Sequence, residues 1–182
     1  FIKSLDDLEG KIIGTGSNRR KAQLSHWVEG IQTKPIRGNI ETRMKKVEAE
    51  NLDGTILAHS GLIRGGYEDR IGFILDPRKI IPSPCQGILA IEIRKEDRDL
   101  YDLFDEIKDP WASLRMDIER SYQATLSATC ESPIGIYTEC HGDQVTLYGA
   151  YAENPGDELK YDKVQGSVES GKELAKTLAN RS

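Results

Sequence analysis

The chain has 182 residues, 37% of them hydrophobic and 30% charged, with a net charge of −5. That length suits one or two domains and a real core. No apolar run reaches the roughly 20 residues of a membrane span, and the negative balance argues against general nucleic-acid binding.

The charge is unevenly spread. Residues 11–46 hold nine Lys or Arg against two Glu, so the remainder carries the acidic excess. A basic first quarter on an acidic protein predicts a local anion site. The three cysteines, Cys85, Cys130 and Cys140, stand at unremarkable spacing, and CxxC and HExxH are absent. This fits a reducing compartment, no disulfide framework and no structural zinc.

In chain order, residues 11–16 predict a buried strand and residues 18–29 a helix ended by Gly30. Ser17 suits the N-cap of that helix, and Gly14 and Gly16 let the chain bend before it. Arg19 and Arg20 then put positive charge in the first turn, where the helix dipole is already positive. Free N–H groups and two guanidiniums at one place suit a carboxylate or phosphate. Residues 31–36 predict a second short strand. Asn39 or Thr42 caps a following helix, with Ile40, Met44 and Val47 at helical spacing. "GTILAHSGLIRGG", residues 54–66, predicts a third strand and a Gly-rich bend. Strand alternating with helix is the rhythm of an α/β domain with a largely parallel sheet, whose ligands bind beyond the strand ends.

Prolines break the pattern across residues 75–87. "ILAIEIR", residues 88–94, is almost wholly apolar and predicts a strand covered on both faces. Residues 97–107 predict an amphipathic helix with Leu100, Leu103, Phe104 and Ile107 on one side. Asp109-Pro110 opens a long helix, with Asp as cap and Pro at the first helical position. Its apolar stripe is Trp111, Leu114, Ile118, Tyr122 and Leu126. Short alternating strands at 134–139, 145–152 and 160–168 and a helix from Ser170 complete an α+β unit.

Arg37, Arg43 and Arg64 also follow strand ends. Gly38 and Asn39 permit a tight turn between Arg37 and Arg43, so one helix start can aim both into the cleft that Arg19 and Arg20 face. Paired N–H groups in a fixed plane suit a ligand with several carboxylates. Cys130 stands just past the long helix, before Glu131-Ser132-Pro133, where an exposed loop thiol could act as nucleophile or covalent anchor. The alternative for a free cysteine is a small core residue, and that reading suits Cys85 and Cys140.

"GTGSNRRKAQL", "IRGNIETRMKKV", "LAHSGLIRGG", "PCQGILAIEIR" and "ERSYQATLSATCESPIG" occur in the order found in porphobilinogen deaminase, and the chain resembles that family from about residue 4 to the final helix. The resemblance implies a transferase that condenses four porphobilinogen molecules into the linear tetrapyrrole hydroxymethylbilane, releasing ammonia, on the route to haem. It implies one dipyrromethane cofactor per chain, held covalently by Cys130. Thr15, Ser17, Arg19, Arg20, Arg37, Arg43, Arg64 and Gln86 would bind the acetate and propionate groups of cofactor, substrate and growing oligopyrrole.

The same resemblance implies an α/β fold: a periplasmic-binding-protein-like lobe (domain 2, residues 1–87), a strand–helix segment returning to domain 1 (88–105), and a small α+β C-terminal domain (106–182). It implies a cytoplasmic monomer with no metal, no nucleic acid and no membrane among its partners. The family's catalytic aspartate would lie upstream of Phe1, so no catalytic residue is assigned in this chain, which by itself is expected to be inactive. Departures from the family pattern are Gly16 in the first motif, His59 for a small residue, Pro84-Cys85 before Gln86, and Ala128-Thr129 before Cys130.

Two other classes compete. A non-enzymatic solute-binding module needs the arginines but no covalent cysteine, which makes Cys130 the discriminating residue. An RNA-binding domain needs aromatic residues among the arginines, and Trp27 alone is too little.

Overall fold

A computed structural model describes residues 2–129 and 131–181. Strand β1 (Ile12–Gly14) is central in a parallel sheet of order β2-β1-β3, with β2 at Gln32–Lys34 and β3 at Gly54–Thr55. Ile13 lies opposite Thr33 on one side and Gly54 on the other. Helices α1 (Asn18–Trp27) and α2 (Ile40–Ala49) follow β1 and β2, and α3 (His59–Arg64) follows β3. Ser17 caps α1 as the sequence predicts, and of the two candidates for α2, Asn39 and Thr42, the structure uses Asn39. Ser17 Oγ accepts from Arg20 N–H and Asn39 Oδ1 from Thr42 N–H, each satisfying an otherwise orphaned donor. Leu8, Ile13, Leu24, Val28 and Ile80 form the core of this sheet.

The second half is an antiparallel meander of β4 (Gly135–His141), β5 (Gln144–Tyr151) and β6 (Lys160–Ser167), covered by α5 (Pro110–Thr125) and α6 (Gly171–Arg181). Asp109 Oδ1 accepts from the N–H groups of Trp111 and Ala112, which starts α5 at Pro110. Ile118 and Tyr122 point from α5 into a core with Ile136, Leu147 and Leu178, all fully enclosed. Each such side chain contributes about 1.5–3 kcal/mol of burial.

Two expectations need correction. Residues 88–94 form no strand among the described residues. Leu89 and Ile91 are 85% and 56% exposed, because no neighbouring backbone presents a ladder to this apolar run. The amphipathic helix expected over 97–107 is present as α4 (Arg98–Asp105), with Leu100 and Leu103 of its apolar side exposed, as are Ile107 and, in α5, Trp111. Residues 59–64, read as part of a bend, are helical, and the turn waits for Gly65 and Gly66.

The two sheets meet through a third cluster, in which Ile81 packs with Ala150, Ala152 and Leu159. The chain at 81–82 also runs close to the start of β4, where the Ile136 N–H donates to the Pro82 carbonyl at 3.0 Å. Only a glycine fits beside it: a Cβ on Gly135 would stand 2.8 Å from the Ile81 carbonyl oxygen and 3.0 Å from that of Pro82. Backbone cannot rotate away as a side chain can. Gly135→Ala is therefore expected to cost about 1–3 kcal/mol, read as a lower urea midpoint at unchanged m-value. An unaltered midpoint would show that the two sheets separate easily.

Candidate anion-binding site

A cavity of about 840 Å3 opens beside the carboxyl ends of the parallel strands, with Ile13, Ile56 and Phe73 among its apolar walls and Arg19, Arg20 and Gln86 among its polar ones. Its chemistry starts at the end of β1. Thr15 is buried, and its hydroxyl accepts from the Ser17 N–H at 3.3 Å. Ser17 caps α1, so the next turn projects Arg19 and Arg20 with no acidic residue beside them.

Arg19 is only 8% exposed. Its Nη1 donates to the Ile81 carbonyl and its Nη2 to Gln86 Oε1 at 3.5 Å. Burial, and then the neighbouring Arg20 charge, push its pKa down to about 10, so it remains a cation at neutral pH. Arg20 donates from Nη1 to the Ile56 carbonyl at 2.7 Å. Burial lowers its pKa, and the charge of Arg43 lowers it further. Two partly desolvated cations thus sit side by side with only neutral oxygens as partners. Among the described residues, no ion pair engages Arg19, Arg20, Arg37, Arg43 or Arg64, while Lys11, Lys34, Arg70 and Arg78 each have a carboxylate within 4 Å. Buried positive charge without an internal partner is costly, and an anionic ligand offsets that cost.

The other predicted residues are placed as follows. Arg43 lies on α2, half-buried, and its Nε donates to the Gly38 carbonyl at 2.8 Å. Gly38 has φ +125°, which suits glycine, and a Cβ there would stand 2.6 Å from Thr42. Arg37 and Arg64 are exposed, and with Arg43 they lie outside the cavity wall, so only Arg19 and Arg20 of the five arginines expected to share one cleft line it. Gln86 links the cavity to Arg19 and accepts from Ser83 Oγ at 3.2 Å. His59 is exposed at the start of α3 and lines the cavity. Cys130 lies outside the described residues. The Glu131 carbonyl beside it in sequence accepts from Asn18 Nδ2 at 3.1 Å, which brings that loop to the start of α1, one residue from Arg19. Among the described residues, no group of three His, Cys, Asp or Glu could hold a metal ion.

Sequence reasoning missed Gln23, which is fully buried behind Arg19. The available signal was its spacing: residues four apart share one face of a helix. It also missed Glu119. This buried carboxylate on α5 accepts from the Cys85 N–H at 2.6 Å, at a residue whose φ is +60°. Burial raises the Glu119 pKa above the usual carboxylate range, against a smaller opposing effect of the Cys85 N–H. A carboxyl raised in the folded state favours its neutral form there. Its contribution to stability is full at pH values below the ordinary carboxylate pKa of about 4.3 and is lost as pH rises through the folded value. Glu119→Gln keeps an acceptor for Cys85 and removes the titration. The variant is expected to gain stability relative to the native chain at pH 7 and not at pH 4, measured by urea unfolding at both. A constant difference across pH would refute the assignment.

The family model "Porphobilinogen deaminase, dipyromethane cofactor binding domain" matches residues 2–102, and "Porphobilinogen deaminase, C-terminal domain" matches residues 113–181. Among curated proteins, the porphobilinogen deaminase of Clostridioides difficile (strain 630) is 37% identical over 178 residues, which is 97% of this chain and 59% of the relative. That of Clostridium acetobutylicum is 41% identical over 172 residues, 94% of this chain and 58% of the relative. That of Clostridium botulinum (strain Eklund 17B) is 39% identical over 180 residues, 99% of this chain and 61% of the relative. The chain spans about three-fifths of the length of these relatives.

Proposed function

Because the chain belongs to the porphobilinogen deaminase family, we propose that its protein condenses porphobilinogen into hydroxymethylbilane on a covalent dipyrromethane primer. The observation that carries this reading is the pairing of buried Arg19 with half-buried Arg20, which lack any carboxylate partner among the described residues and form part of the wall of an 840 Å3 cavity. Each pyrrole unit brings an apolar ring and two carboxylates. The apolar walls at Ile13, Ile56 and Phe73 suit the rings, and the two guanidiniums suit the carboxylates. The donor set therefore fits the cofactor.

In this reading Cys130 holds the dipyrromethane by a thioether bond, and the cofactor supplies the primer to which substrate units are added. Arg19 and Arg20 neutralise the side-chain carboxylates and orient the rings, with Gln86 and the Ile81 carbonyl fixing Arg19. Ser17 and Thr15 set the turn that aims α1. Arg43 adds positive potential beside Arg20, and Arg37 and Arg64 serve later units of the growing chain from outside the cavity. These groups act by binding and positioning.

Residues 1–87 would then form a lobe like those of periplasmic binding proteins, and 106–182 a separate α+β domain. The exposed Leu89, Ile91, Leu100 and Leu103 of the segment 88–105 would then pack on a further lobe. No helix among the described residues is long and apolar enough to cross a membrane. The protein would act as a monomer on a small molecule in the cytoplasm. The protein as the cell makes it is to be incubated with porphobilinogen and assayed for hydroxymethylbilane and released ammonia. Absence of both, with native folding verified, would overturn the proposal.

A further inference from the structure

Gln23 is fully buried, lies outside the cavity wall, and has both polar atoms committed. Its Nε2 donates to the Ile81 carbonyl at 2.8 Å, and its Oε1 accepts from the N–H of the same residue at 2.5 Å. Oε1 also accepts from the Tyr161 hydroxyl at 3.2 Å, and that hydroxyl in turn accepts from Trp27 Nε1 at 2.9 Å. The Ile81 carbonyl has two lone pairs. Gln23 takes one and Arg19 Nη1 takes the other.

We propose that Gln23 is a positioning residue for the anion site: it clamps the Ile81 peptide so that its carbonyl holds the Arg19 guanidinium in the cavity wall. Arg19 and Gln23 stand one helical turn apart on α1, so a single rigid element carries both the cation and the clamp that fixes its anchor. Tyr161 lies on β6, so the same contact ties the orientation of Arg19 to the antiparallel sheet. Two of the five guanidinium N–H groups are spent on Ile81 and Gln86, leaving the others for a carboxylate. Without the clamp, the Ile81 peptide loses two hydrogen bonds and Arg19 loses a fixed anchor. This inference rests on the reading that the cavity binds pyrrole carboxylates.

The test is a double-mutant cycle in the protein as the cell makes it, with Gln23→Met, Arg19→Lys and the pair. Gln23→Met is expected to raise KM for porphobilinogen about tenfold, the effect of losing one well-aligned charged hydrogen bond. It is expected to change kcat less than twofold. Arg19→Lys should weaken binding strongly in the native background and little in the Gln23→Met background. A lowered melting temperature with unchanged KM, or additive effects, would show that Gln23 is merely structural. Should Gln23→Met fail to fold, Gln23→Asn keeps the amide but withdraws it by a methylene, and the same coupling is read there. Failure of the native protein to turn over porphobilinogen would sink the functional reading alone. The cycle is then read on the Kd of benzene-1,3,5-tricarboxylate, where lack of coupling between residues 19 and 23 overturns the positioning role.

Discussion

Cys130→Ser is expected to abolish hydroxymethylbilane synthesis while leaving the melting temperature close to native. A thioether needs a thiolate, and a serine hydroxyl is far too weakly acidic to replace it. The competing thiols are poorly suited. Burial, and then Glu119, raise the Cys85 pKa, and burial raises that of Cys140, so both are held as neutral thiols near pH 7. The flanking residues are tied by local hydrogen bonds, with the Thr129 N–H donating to Ser132 Oγ at 3.0 Å. The loop is also joined to Asn18 through the Glu131 carbonyl. The sequence reads position 130 as a loop residue, so exchanging its thiol for a hydroxyl is expected to leave the fold intact. Peptide mapping of active protein should find the pyrrole adduct, identified by mass and by a colour reagent for pyrroles, on Cys130 and on neither other cysteine. Active protein with unmodified Cys130 would end the assignment of that residue as the covalent anchor.

Arg20→Leu should weaken binding of the carboxylate ligand by about 1.5–3 kcal/mol per charged hydrogen bond lost, or roughly 10–150-fold. It should do so without loss of stability. Burial and the Arg43 charge both disfavour the cation, so leucine relieves desolvation and repulsion while giving up one bond to the Ile56 carbonyl. A melting temperature that holds or rises while KM climbs marks strain retained for function. Arg20→Lys should recover binding only in part, because the planar fork is lost. Arg78→Leu is the control: Arg78 is exposed and engaged by Asp76 at 3.1 Å, so its removal should leave KM alone. Equal effects at positions 20 and 78 would mean that general charge, and not this cavity, binds the ligand.

Local chemistry was legible from the residues alone. Ser17, Asn39 and Asp109 begin their helices where the sequence places caps, because a cap needs only the N–H groups two or three residues on. The alternation from residue 134 onward marked three short strands, since a half-buried strand requires period two, and the structure pairs them as an antiparallel meander. The arginines after strand ends and the "CESPIG" stretch pointed to an anionic ligand and to the family that the comparisons support.

What the sequence could not decide were the contacts between residues far apart in the chain. The Ile81 carbonyl that anchors Arg19 and Gln23 is a backbone group and carries no side-chain signature. The placing of Arg19 and Arg20 in the cavity wall, with Arg37 and Arg64 outside it, depends on how α1, α2 and α3 leave the sheet. Residues 88–94 make the same point from the other side. An apolar run states that cover is wanted, but whether a ladder forms depends on a neighbouring strand, and here Leu89 and Ile91 find none among the described residues. Short-range hydrogen bonds are written residue by residue. Burial and convergence belong to the tertiary structure, because each is a property of pairs that only the packed chain brings together.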